Sequence, residues 1–114
     1  MANAVPVQGI SGGTPIAVTS GAGAASTGTI TSVASGVASV TLLAANANRK
    51  GASGVNTDAN MLYVLCAAGT ASATNFTIPV ASMGYFEIPF GYTGIVSGIW
   101  AADGTGLSLM TEYT

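Results

Sequence analysis

Histidine is absent from this 114-residue chain, cysteine occurs once, and only six side chains carry charge, two of them positive. Without histidine the chain lacks the commonest metal ligand and the commonest acid–base group at neutral pH. The acids Asp58, Glu87, Asp103 and Glu112 are scattered, and no spacing among them matches a zinc site or a calcium loop. Asp58, in "NTDAN", is one carboxylate among neutral amides and reads as an Asx-turn. Nothing in the spacing pairs two acids for glycoside hydrolysis. Serines are plentiful, yet no histidine can complete a triad, and "SGG" and "SGAG" lack the lysine of a phosphate loop. The expectation is a protein that is not an enzyme and needs no metal or cofactor.

The lone Cys66 excludes an internal disulfide, and its place in "LYVLC" reads as a buried, inert thiol. Two cations, Arg49 and Lys50, give no footprint for a phosphate backbone, so no nucleic-acid partner is expected. The longest apolar candidate, "MLYVLCAA" (61–68), falls far short of the roughly 20 residues of a membrane-spanning helix. "MANAVPVQG" has neither a basic start nor an apolar stretch of a secretory signal, so synthesis in the cytoplasm is expected, with no membrane partner.

Charged residues make up 5% of the chain, against roughly 25% in an ordinary soluble domain. Apolar residues make up 49%, and the mean hydropathy is +0.58, a balance opposite to that of disordered chains. Such a chain folds or packs against something. Residues 1–29 contain no charge at all; Gly, Ala, Ser and Thr alternate there with isolated Val, Ile and Pro. Pro6, Pro15 and the glycine clusters break regular structure. Val5, Val7, Ile10, Ile16 and Val18 are more apolar anchors than a solvated linker needs. This segment reads as an extended arm that buries those five side chains on a partner.

From residue 30 to 114 the pattern is short β-branched runs between turn residues. "ITSVA" (30–34), "SVTLLA" (39–44), a short strand near 52–55, "MLYVLC" (61–66), "TNFTIPV" (74–80), "GYFEI" (84–88), "IVSGIWA" (95–101) and "GLSLMTEY" (106–113) read as strands. "TNFTIPV" and "GYFEI" are expected to pair around Ala81–Met83, and the last two strands to close a hairpin through Asp103-Gly104. Alanine propensity leaves a helix open in "SVASGVASV". The fold class is all-β: a small antiparallel β-sandwich, jelly-roll or Ig-like, preceded by the arm.

Alternation in "GYFEI" sends Phe86 and Ile88 to the core with Trp100, and leaves Tyr85 and Glu87 outside. Tyr92, in a Pro/Gly loop, is the candidate exposed contact, and Tyr92 with Asp103 the one pair that could meet a sugar. Arg49 sits in a turn, either as a solvated tip or pairing with Glu87, or alternatively Asp58, to tie that turn to the sandwich.

The strings "SVTLLAANANRKGASGVN", "LYVLCAAGTASATNFTIPV", "GYFEIPFGYTGIVSGIWAADGTG" and "TEYT" resemble small virion structural proteins of tailed bacteriophages, over about residues 30–114. The resemblance implies a β-sandwich that decorates or cements a capsid, contacts the major capsid protein and associates as a homo-oligomer, commonly a homotrimer, without catalysis. Its place would then be the virion, on the capsid surface. The alternative within the same resemblance is a fibre or receptor-binding module that recognises host surface glycans.

Overall fold

In the computed structural model, which describes residues 24–114, the β-branched runs form eight strands. They are β1 (Gly28–Ala34), β2 (Val40–Leu43), β3 (Gly51–Asn56), β4 (Leu62–Leu65), β5 (Ile78–Val80), β6 (Tyr85–Glu87), β7 (Val96–Trp100) and β8 (Leu107–Tyr113). Val5, Val7, Ile10, Ile16 and Val18 lie outside the described residues. Among the described residues there is no helix, and "SVASGVASV" is the end of β1, a bend and the start of β2.

The pairing is nested: β1 with β8, β2 with β7, β3 with β6, β4 with β5, all antiparallel. The ribbon so defined is rolled up, because β8 also pairs with β3 and β7 with β4. Two four-stranded sheets result, in the orders β1-β8-β3-β6 and β2-β7-β4-β5. That order is a jelly roll, which resolves the choice between the jelly-roll and Ig-like arrangements.

Period-two alternation decides what each strand buries. Ser108 and Met110 of β8, Ala52, Gly54 and Asn56 of β3 and Phe86 of β6 face inward from the first sheet. Leu62 and Val64 of β4, Val80 of β5, and Val96 and Trp100 of β7 meet them from the second. On β2 a bulge between Thr41 and Leu43 breaks the alternation, so Leu42 and Leu43 are both buried. Phe86, Ile88 and Trp100 are core residues, as the alternation implies.

β3, "GASGVN", has little β-branched character yet holds an interior position in its sheet. Its register explains the composition: Gly54 lies opposite Phe86 on one side and Met110 on the other. Those two large side chains fold over the glycine, and a Cβ there would sit 2.5 Å from both Met110 Sδ and Phe86 Cζ. Gly54→Ala is therefore expected to cost about 1–3 kcal/mol through overpacking. Gly51→Ala, where a Cβ would meet nothing within 4 Å, is expected to leave stability unchanged or raise it slightly. Urea midpoints of the two variants check the contrast.

Two connections differ from the expected hairpins. β5 and β6 belong to different sheets, because Met83 N–H donates to Asn56 O at 2.6 Å and draws the Ala81–Gly84 turn across to the end of β3. β7 and β8 also lie in different sheets, so the Asp103-Gly104 turn is a crossover between layers. A turn signal reports that the chain reverses, and partner choice is settled by distant residues. β1 begins at Gly28, which pairs with Tyr113, so the strand takes in the last two residues of the expected arm.

Candidate functional site

The polar chemistry of the sandwich is gathered at its two ends. At one end the β2–β3 connection turns on Asn46, whose Oδ1 accepts from Asn48 N–H at 3.0 Å and whose carbonyl accepts from Arg49 N–H at 3.0 Å. This Asx-type turn throws the Arg49 side chain inward, where it is almost wholly buried. Its Nε donates to Glu112 Oε2 at 2.7 Å, Nη1 to Gly94 O at 2.8 Å and Tyr92 O at 3.2 Å, and Nη2 to Ala44 O at 2.7 Å. Asn46 Nδ2 donates to the other carboxylate oxygen of Glu112 at 3.1 Å. One guanidinium thus ties the β2–β3 connection, the β6–β7 connection and β8 together.

The acid is Glu112, and the expected pairing of Arg49 with Glu87 does not form. Glu87 lies on the outer face of β6 and accepts from the Tyr85 hydroxyl at 2.9 Å, which pushes the Tyr85 phenol above its ordinary value. Glu112 shares the inward parity of Ser108 and Met110, which is why it reaches the interior. Arg49 is accordingly neither a solvated tip nor a partner of Asp58.

At the other end, Asn56 closes β3 as a fully buried amide. Its Nδ2 donates to the carbonyls of Asn60 at 2.9 Å, Val80 at 3.1 Å and Ala81 at 3.3 Å. Its Oδ1 accepts from Asp58 N–H at 3.0 Å and from the Trp100 indole at 3.0 Å. The Asx-turn expected at "NTDAN" is present, with Asn56 supplying the side chain and Asp58 the N–H. Asp58 is itself buried beside Gly106, where a Cβ would collide with the Asp58 backbone. Burial opposes its ionisation, but hydrogen bonds from the Asn60 amide and the Gly106 and Ala59 N–H groups outweigh this and hold the carboxyl below its ordinary value of 3.8.

A carboxyl depressed in the folded state adds stability that is present above its unfolded value and lost as pH falls through the folded one. Resistance to urea is expected to decline on acidification below about pH 3.8. Asp58→Asn should flatten that decline, read as the urea midpoint against pH for both proteins.

Tyr92 is half-buried and packs against the core, and its hydroxyl donates to Ile95 O at 2.6 Å. It is not the exposed contact expected of it, and Asp103 lies beyond the far end of β7 from it. Among the described residues the most exposed aromatics are Phe90, 88% accessible, and Tyr85, 63%. Cys66 is half-buried, and burial pushes its thiol up. Among the described residues no group of three or more His, Cys, Asp or Glu could hold a metal ion, and no helix is long and apolar enough to cross a membrane.

Three of the six charged side chains, Arg49, Asp58 and Glu112, are therefore spent on internal ties. Lys50, Glu87 and Asp103 remain for the surface. The outer face of the first sheet shows the consequence. One cross-strand row is Ile30, Thr111, Ser53 and Glu87, and the next is Ser32, Leu109, Val55 and Tyr85. Ile30 is 70% exposed and Met83, at the rim, 68%. A groove of about 420 Å³ runs between Lys50, Gly51, Tyr85, Glu87, Phe90 and Tyr113.

No family model, curated protein or solved structure matches the chain.

Proposed function

We propose that the chain is a structural module of a phage virion that decorates or cements the capsid as a homo-oligomer, docking on the major capsid protein. The observation that supports this most is the distribution of charge. A free soluble domain spreads acids and bases over its exterior, whereas this one directs half of its few charges inward. It leaves Ile30, Leu109, Tyr85 and Met83 exposed beside hydroxyl side chains. A face of that kind is suited to burial in an assembly, where every unpaired charge costs free energy. The satisfied Arg49 and Asn56 clusters serve such a part by fixing the loops at both ends of the roll. The uncharged arm supplies the anchor in this reading, with Val5, Val7, Ile10, Ile16 and Val18 as its contacts.

The test is cryo-electron microscopy of particles of the phage that carries the gene, with the full chain and with a chain lacking residues 2–23. Density for the roll on the shell, lost on removal of the arm, is the expected result. Shell occupancy unchanged by the deletion would remove the arm as anchor. Density at a fibre tip would favour the glycan-binding alternative, and absence from particles would overturn the virion reading altogether.

A further inference from the structure

Two four-stranded sheets have four outer edges, and three of them carry a recognisable block against strand addition. β5 has three residues with Pro79 in its middle. β6 also has three, and Pro89 follows shortly after. β2 is four residues long and bulged between Thr41 and Leu43. β1 carries none of these devices: it is seven residues long, keeps register with β8 throughout, and contains no proline and no charge. All of β1 except Val33 is exposed. A long, regular, neutral edge is a template for another strand.

We propose that β1 pairs with β1 of a second copy of this chain, antiparallel about a two-fold axis through Thr31, so that the two first sheets become one continuous sheet. About such an axis like charges would face one another at Thr31 or at positions equidistant from it if the strand carried them there, and "GTITSVA" has no charge at any position. Glu112, which lies opposite Thr29 on β8, is already held by Arg49. In this register Ile30 lies beside Ser32 of the other copy, and Thr29 beside Val33. Ile30, the most exposed apolar side chain of the strand, is then flanked by Thr111 on its own β8 and by the second copy's β1. On the inner side, Thr31 borders an open cleft of about 400 Å³ between β1 and β2, and pairing brings a second copy to that flank. An isologous contact uses the same edge on both partners and leaves neither free, so association stops at two. A two-fold pair is not the trimer that the resemblance implies, and the proposal stands or falls independently of the virion reading.

The experiment is sedimentation of the full chain over the micromolar range, with two sets of variants. Ile30→Lys with Ser32→Lys places like charges opposite one another across the proposed axis, on a solvent-facing side where the fold bears little cost. The wild type is expected to dimerise and the double variant to be a monomer with unchanged Trp100 fluorescence. Thr31→Cys in a Cys66→Ala background is expected to form a covalent dimer on mild oxidation, and Val37→Cys in the same background is not. A wild-type monomer, a dimer that survives the double substitution, or no cross-link through position 31 would each overturn the proposal. So would cross-linking of position 31 to a cysteine placed by Val18→Cys, which would assign the edge to the N-terminal arm.

Discussion

Replacing Arg49 by methionine is expected to destabilise the domain by about 3–5 kcal/mol, the usual consequence of removing one member of a buried ion pair. Methionine fills much of the volume, so the loss is electrostatic in origin. Glu112 would remain with only the Asn46 amide, and the carbonyls of Ala44, Tyr92 and Gly94 would lose their donors. Arg49→Lys should recover part of the loss, since an ammonium cannot reach a carboxylate and three carbonyls in different directions. Adding Glu112→Gln to Arg49→Met should be less damaging than the sum of the single changes, because the uncompensated carboxylate is gone. Glu87→Gln, by contrast, should change stability by less than about 1 kcal/mol, since it alters only an exposed contact with Tyr85. Urea unfolding of the wild type, these four variants and Glu112→Gln alone, with m-values compared, decides between Glu112 and Glu87 as the working partner.

Asn56→Ala is expected to be comparably severe, with a loss of at least about 3 kcal/mol, since a buried group left unsatisfied costs roughly 1–3 kcal/mol each time. Five hydrogen bonds end on this one amide, and they tie the end of β3 to three other segments: Asp58 and Asn60, Val80 and Ala81, and Trp100. Asn56→Asp keeps the shape but replaces three donated bonds with repulsion between a carboxylate and carbonyl oxygens, and should be worse at neutral pH. Trp100 provides the local reading, because the indole loses its acceptor in the alanine variant. A shift in tryptophan emission together with a lowered urea midpoint is the expected result. An unchanged midpoint would mean that water replaces the amide without cost.

The all-β class, and most strand positions, were legible because alternation is a local property. "GYFEI" places Phe86 and Ile88 inside from its own spelling, whatever lies opposite. Which strands pair is not local. The two expected hairpins rested on sound turn signals, yet the chain changes sheet at both, under the pull of Asn56 and Asp58 on residues far along the sequence. Burial of Arg49 in a chain with so few charges could be suspected, but its acid lies 63 positions away on a strand whose inward parity only Met110 announces. Asn56 was readable in principle. It shares parity with Ala52 and Gly54, and a polar residue in step with two small inward ones signals a buried amide. Tyr92 was misplaced because a Pro/Gly loop suggests exposure, whereas Phe90 takes the outside and Tyr92 folds back over Gly94.

The nested order of the roll also governs when the molecule can exist at all. β8 lies between β1 and β3, so the first sheet has no continuity until the last of its strands has been made. β7 holds the same place between β2 and β4 in the second sheet. During synthesis only the β4–β5 and β3–β6 pairs can form early, while β1 and β2 wait with nothing beside them. Closure of such distant pairs is slow, and in that interval the neutral edge of β1 is open to any passing strand. Production of this protein is therefore a race between the emergence of β8 and misassociation of nascent chains, and slowing translation ahead of Leu107 should increase the aggregated fraction.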